Sequence, residues 1–249
     1  MPENNAPKLK YDFSPRGYAY VKGAGDFDGK NLRIPSNVGE IPVHAIDSWA
    51  FTDDDKIKLI FVEEGIKSIH SGAFSYMKEL RKIYLPSTIS LLSDCAFVDS
   101  PNVTHIVFKR NSLISEIQRS TFAGLTSLVH IELPRSIKII GEYAFFMTSK
   151  IPEITLPDTV ERIADCAFTD CSSLETINIP KNVVTIGKEA FGGCERLMEM
   201  NFDDPYGWYG NGKYISSDII KNPEAAAKLF RDSRSAEISF KKVDQSNYI

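Results

Sequence analysis

Apolar residues recur along this chain in a fixed block. The dipeptide Ala-Phe stands at Ala50-Phe51, Ala73-Phe74, Ala96-Phe97, Ala144-Phe145, Ala167-Phe168 and Ala190-Phe191, with Thr121-Phe122 as the one variant. Successive phenylalanines are 23 residues apart, except that Phe97 to Phe122 is 25. Aligned on Phe, the chain shows five apolar columns. Eight residues before Phe lie Val43, Ile66, Ile89, Ile114, Ile137, Val160 and Val183; five before lie Ile46, Ile69, Leu92, Ile117, Ile140, Ile163 and Ile186. Three more follow Phe, led by Leu80, Ile83 and Leu85 in one unit and Leu174, Ile177 and Ile179 in another. A period of this length marks a solenoid, in which no unit can bury its apolar face alone.

Within each unit the pattern L-x-x-I-x-L ends in period-two alternation, which predicts a short half-buried strand. Pro86, Pro134, Pro157 and Pro180 follow at once, as Pro35 does in the first unit, and terminate it because proline donates no ladder hydrogen bond. A second extended piece carries the Val/Ile pair, and the Ala-Phe turn brings the chain round. The unit after Phe97 has two extra residues around Lys109 to Ser112 and no proline, so a bulged turn is expected there. The first unit is longer by five residues.

The flanks read as caps. GYAYVKGAGDFDGKNLRI predicts two strands joined by a turn at Asp28-Gly29. DDPYGWYGNGKYI predicts a hairpin turned at Asn211-Gly212, Asn222-Pro223 an N-cap with proline at the first helical position, and AEISFKKV a last strand. The expected organisation is therefore an N-terminal cap over 1–31, seven repeats over 32–202 and a C-terminal cap over 203–249.

These features together resemble the BspA-type leucine-rich repeat family, whose unit reads approximately L-x-x-I-x-L-P-x-x-V-x-x-I-x-x-x-A-F. The match spans roughly residues 32–202. The resemblance implies an α/β-type, mostly β solenoid: a right-handed superhelix with a parallel sheet on its concave side and hairpin and helix caps. It also implies a bacterial surface or secreted protein linked to adhesion and to host or matrix ligands.

Composition narrows the chemistry. Basic and acidic residues nearly balance, 29 against 33, which is not the footprint of a nucleic-acid binder. No apolar run is long enough to span a bilayer. The opening MPENNAPKLKYDF has no apolar h-region, so no signal peptide is read in it. A cytosolic protein and a surface protein with its leader removed are both consistent with that. The four cysteines form no disulfide framework; Cys95 and Cys166 share one repeat position three rungs apart, and Cys171 and Cys194 share another on adjacent rungs. Small buried thiols are expected.

No phosphate loop, nucleophile elbow or metal-binding signature occurs, so neither an enzyme nor a cofactor is expected. The outward positions of the strand carry the candidate site instead. One column reads Leu59, Lys82, His105, His130, Glu153 and the next Phe61, Tyr84, Val107, Glu132. Leu59, Phe61, Tyr84 and Val107 beside Lys82 would form an exposed apolar and aromatic patch, the kind that marks partner sites, unless the N-terminal cap or a partner folds over it. His105 and His130, with Glu153 and Glu132 nearby, could hold a divalent ion or titrate as a pair; a solvated polar ladder is the simpler reading, and no metal is assigned. The expected function is non-enzymatic binding of a protein or glycan by a monomer at the cell surface, with an intracellular scaffold as the alternative.

Overall fold

The computed structural model describes residues 8–232 and 239–243. It is a mostly β solenoid in which each unit, named here by its phenylalanine, contributes one long strand, one short strand and one Ala-Phe turn. The long strands run from Asn31–Ile34 through Leu59–Val62, Lys82–Leu85, His105–Phe108, His130–Ile131, Glu153–Ile154 and Thr176–Ile179 to Glu199–Phe202. All pairing between long strands is parallel, and equivalent residues face one another, as in Phe61 opposite Tyr84 and His105 opposite His130. The short strands, such as Ser68–Ile69 and Thr185–Ile186, pair in parallel on another side.

The predicted columns form the core. Phe51, Phe74, Phe97, Phe122, Phe145, Phe168 and Phe191 are buried, and their rings follow one another at 5.4, 5.4, 5.8, 5.3, 5.2 and 5.2 Å. Each contact is worth about 0.5–1.5 kcal/mol beyond the area it buries. A backbone ladder runs alongside. The N–H of each of the first six phenylalanines donates to the carbonyl just before the next phenylalanine, at 2.8–3.0 Å, as in Phe145 to Ala167. Residues two before and two after Phe donate likewise, as do Tyr143 to Asp165 and Met147 to Thr169.

That ladder needs an unusual backbone. The residue two before Phe has positive φ in every unit (Trp49, Gly72, Cys95, Ser120, Tyr143, Cys166 and Glu189), and so does the residue two after, from Asp53 to Gly193. The left-handed conformation costs a non-glycine residue roughly 1–2 kcal/mol, and here it aims alternate N–H groups at the following unit.

The buried thiols also have a hydrogen-bonding task. Three residues after Phe, the side chain donates to the phenylalanine carbonyl one unit back: Ser100 Oγ to Phe74 at 2.9 Å, Thr148 Oγ1 to Phe122 at 3.2 Å, Cys171 Sγ to Phe145 and Cys194 Sγ to Phe168 at 3.1 Å. Burial pushes the Cys171 thiol well up and Cys194 to about 12, which keeps the donated protons in place. All four cysteines are free.

Two irregularities interrupt the sheets but not the Ala-Phe ladder. The extra residues after His105–Phe108 place Asn111 in the left-handed region, and short-strand pairing stops between Leu91–Leu92 and Glu116–Ile117. Lys109 in this insertion ties back to Glu64 at 2.7 Å. Glu64 also accepts from the N–H and hydroxyl of Ser87 at 3.2 and 3.0 Å, so one carboxylate links three units. The second break lies between His130–Ile131 and Glu153–Ile154, where long-strand pairing is absent. Its cause is Pro152. In other units the residue at this position donates its N–H one rung back, as Thr104 does to Arg81, Val129 to Thr104 and Glu175 to Pro152, and proline has none to give. The loss spreads. The pairs facing this seam shrink to two-residue strands, and Ile131 and Ile154 are 5% and 4% exposed where their column elsewhere stays at 0–2%.

The N-terminal expectation is corrected. Ala19–Gly23 and Asn31–Ile34 are strands but do not form a hairpin across Asp28-Gly29. Ala19–Gly23 pairs antiparallel with Lys10–Phe13 and parallel with Ile41–Ile46, whereas Asn31–Ile34 pairs parallel with Leu59–Val62. The turn signal is real, but pairing with the repeats offers both strands longer-range partners. The five extra residues of the first unit form a small antiparallel pair, Asn37–Val38 with Ile41–Pro42, turned at Gly39.

At the other end, Asn211 and Gly212 have positive φ and join Trp208–Gly210 to Lys213–Tyr214. A short helix, Ser217–Lys221, precedes the expected one over Pro223–Arg231. The Asn222 side chain accepts from the N–H groups of Glu224 and Ala225 at 3.1 Å. Phe230 meets Phe191 edge-on at 6.4 Å and packs on Phe202 and Phe240, ending the ring stack. Phe240–Lys242 pairs antiparallel with Thr185–Ile186 and with Trp208–Gly210; residues 236–238 of that expected strand, like the polar opening 1–7, lie outside the described residues.

Two outcomes follow. In hydrogen exchange, amides of Ile131 and Ile154 should exchange at least about tenfold faster than those of Ile83 and Ile177, and Pro152→Glu should restore their protection; equal protection in the native chain would contradict the seam. The Lys109 ammonium and the Ser87 donors hold the Glu64 carboxyl at about 2, below its ordinary 4.5. A depressed folded-state value stabilises the fold above the ordinary value, and the gain is lost as pH falls from about 4.5 to 2. Glu64 is 41% exposed, so Glu64→Gln should cost only on the order of 1 kcal/mol at neutral pH and flatten the stability profile between those limits. Chemical denaturation across pH 2–7 measures both.

Candidate partner-binding face

The long strands place alternate side chains in the core and outside. Register alone therefore assembles the outward columns: Leu59, Lys82 and His105 stand opposite one another in sequence, as do Arg33, Phe61, Tyr84 and Val107. Phe61 and Val107 are 40% and 37% exposed, while Leu59, Lys82, Tyr84 and His105 are half-buried. The Phe61 and Tyr84 rings stack at 4.8 Å and 26°. Cations lie over both: the Arg33 guanidinium 5.1 Å from the Phe61 centroid and the Lys82 ammonium 5.8 Å from that of Tyr84. A hollow of about 470 Å³ opens beside the rings, rimmed by Ser36, Glu63, Glu64 and Lys109.

Arg33 donates to Glu63 at 2.9 Å, and Glu63 in turn accepts from the Ser36 N–H at 2.9 Å, so the guanidinium is held in place. Lys82 has no carboxylate partner among the described residues. Arg33 precedes the first Ala-Phe turn, so outward columns counted from each preceding phenylalanine begin one rung after it. Continuing the Phe61 column one rung back would have found it.

His105 and His130 are in register, but Glu153 is not paired to them, because the Pro152 seam intervenes. His105 Nδ1 lies 3.0 Å from the Thr104 hydroxyl, and His130 Nε2 lies 3.9 Å from Glu132. Burial first, then Lys82 and His130, lower the His105 pKa, so its imidazole stays neutral near pH 7. Among the described residues no three His, Cys, Asp or Glu side chains come together as a metal site. Glu132 and Glu153 instead border a cleft of about 740 Å³ at the seam, with Thr155 and Asp158.

A second cluster, unforeseen in the sequence, lies by the short strands. Tyr18 stacks on His44 at 4.6 Å and accepts a hydrogen bond from the Tyr20 hydroxyl at 3.2 Å; Asp47 bonds Lys22 at 2.5 Å and lies 3.5 Å from His70. These contacts fasten the N-terminal strands to the first two units.

No helix among the described residues is long and apolar enough to cross a membrane. No functionally curated protein matches the chain. Solved structures do. A leucine-rich cell surface protein from Faecalibacterium prausnitzii A2-165 aligns with TM-score 0.71 and 21% identity over 80% of this chain and 54% of its own. The T. pallidum leucine-rich repeat protein aligns with TM-score 0.60 and 23% identity over 78% and 80%. A leucine-rich repeat protein from Bacteroides ovatus ATCC 8483 aligns with TM-score 0.57 and 26% identity over 77% and 45%. The chain thus spans about half the length of the first and third. Leucine-rich repeats are in general non-enzymatic binding modules, and no catalytic family is indicated. The family model for the BspA type leucine rich repeat region, six copies, matches residues 29–115 and 93–209, most of the chain. With those repeats, their Ala-Phe turns and their parallel strands, this chain belongs to the BspA-type leucine-rich repeat family.

Proposed function

We propose that the chain is a non-enzymatic adhesion module at the cell surface, holding a protein partner across the N-terminal half of its long-strand face. The observation that carries this is the stacked Phe61–Tyr84 pair on the outward side of the long-strand sheet, with cations over both rings. Aromatic anchors next to a shallow hollow with a polar rim are what protein hot spots are made of. The rings are held by neighbours on both sides, so binding costs little side-chain entropy. The surface location is favoured by the relative described as a cell surface protein.

The test is a Phe61→Ala/Tyr84→Ala double variant, compared with the native chain on an array of extracellular proteins and oligosaccharides. Both side chains face outward, so the thermal melt should shift by only a few degrees. Protein ligands of the native chain should bind the variant at least about 30-fold more weakly, as loss of two anchors implies. Unchanged binding, capture of oligosaccharides alone, or a collapse in stability would each contradict the proposal.

A further inference from the structure

We infer that the long-strand face takes an extended, dipolar peptide segment lying across the strands, with its aromatic and acidic side chains at Phe61, Tyr84 and Lys82 and a basic side chain three or four residues further on at the Pro152 seam. The inference rests on the protein-binding reading above and specifies the partner's chemistry.

The face changes sign along its length. At the N-terminal end the outward cations are Arg33, Lys82 and Lys109. Arg33 and Lys109 are engaged by Glu63 and Glu64, while Lys82 keeps its charge uncompensated beside the rings. An acidic side chain placed next to an aromatic one meets both of its complements here: the ring pair and the free ammonium. Two and three rungs further on the outward groups are Glu132 and Glu153, with Asp158 in the same cleft. The one ion-pair partner of Glu132 among the described residues is His130, at 3.9 Å, and neither Glu153 nor Asp158 has one. Arg135 is the one cation lining this cleft, against three carboxylates.

The seam makes that end more than a charged surface. Because Pro152 donates no hydrogen bond, the strands on either side are not paired, and a cleft of about 740 Å³ lies along this junction. It is large enough to receive one long basic side chain and brings Glu132 and Glu153 to its walls.

Distance sets the spacing. Rungs repeat at ~4.8 Å, so the Tyr84 ring and the two glutamates are separated by roughly 10–14 Å along the solenoid. An extended chain advances about 3.3 Å per residue, which gives three to four residues between the aromatic and basic side chains. The sign change also favours a peptide over a sugar chain. A polyanionic glycan would bring like charge to Glu132 and Glu153, and a neutral one would leave Lys82 unused.

The test uses fluorescein-labelled peptides and the native chain. One peptide reads Asp-Trp-Gly-Ser-Arg; the other, with the charges exchanged, reads Arg-Trp-Gly-Ser-Asp. Anisotropy at low salt should show the first binding at least about tenfold tighter, a preference that fades as salt is raised. The triple variant Lys82→Glu/Glu132→Lys/Glu153→Lys should invert it; should that variant not fold, the native preference and its salt dependence decide. Equal binding of the two peptides, no binding of either, or tighter binding of a heparin-derived hexasaccharide would overturn the inference. Phe61→Ala separates the two claims. Ring-dependent binding that ignores charge order removes the dipolar segment and leaves the binding face; peptide binding indifferent to Phe61→Ala removes the face itself.

Discussion

The ladder at the Ala-Phe turns is the connection on which the rest of the molecule depends. Both strand ladders are interrupted, the short one after Leu91–Leu92 and the long one after His130–Ile131. The turn ladder crosses both interruptions, with three hydrogen bonds at each junction between Phe51 and Phe191. The ring stack crosses them too, at 5.8 Å from Phe97 to Phe122 and 5.2 Å from Phe145 to Phe168. Six ring contacts at about 0.5–1.5 kcal/mol each come to several kcal/mol, comparable with the whole stability of an ordinary domain. That accounts for the tolerance of left-handed residues as bulky as Trp49, Tyr76 and Tyr143: a cost of roughly 1–2 kcal/mol is accepted where it keeps the N–H groups aimed along the solenoid.

A core held from the turn side leaves the long strands free to vary. Their outward positions lie outside the core, so Phe61, Tyr84, Lys82 and Glu153 can differ from rung to rung while the inward columns stay apolar. The same freedom permits Pro152, which would be damaging if the long-strand sheet alone joined the units. Here it interrupts only the long-strand pairing, while the short strands and the ring stack stay joined across the same junction. The Pro152 irregularity falls on the long-strand face and stays out of the ring stack behind it.

Much of this was legible in the sequence, because a burial pattern repeated seven times leaves little ambiguity about which side chain points where. Phe145 could be placed in the core, and Phe61 and Tyr84 on the outside, from spacing alone. The left-handed pairs were not legible, since their identities run from Trp to Gly to Glu and share no chemistry. Pro152 was in plain view, but its effect depends on which N–H each rung lends to the one before, and that is a property of register. The Asp28-Gly29 turn misled for the opposite reason. A strong local signal predicted a hairpin, while the partners of both flanking strands lay elsewhere in the chain.

The central claim is that the Phe stack couples the units across the broken sheets. Calorimetric unfolding of Phe145→Ala and Phe74→Ala tests it most directly. Each truncation should cost about 3–5 kcal/mol. Phe74 lies between units that both sheets also join, so its variant should still unfold in one transition. Phe145 borders the seam, and its variant should unfold in two, with the units before Pro152 melting apart from those after it. A single cooperative transition in both variants would contradict the account.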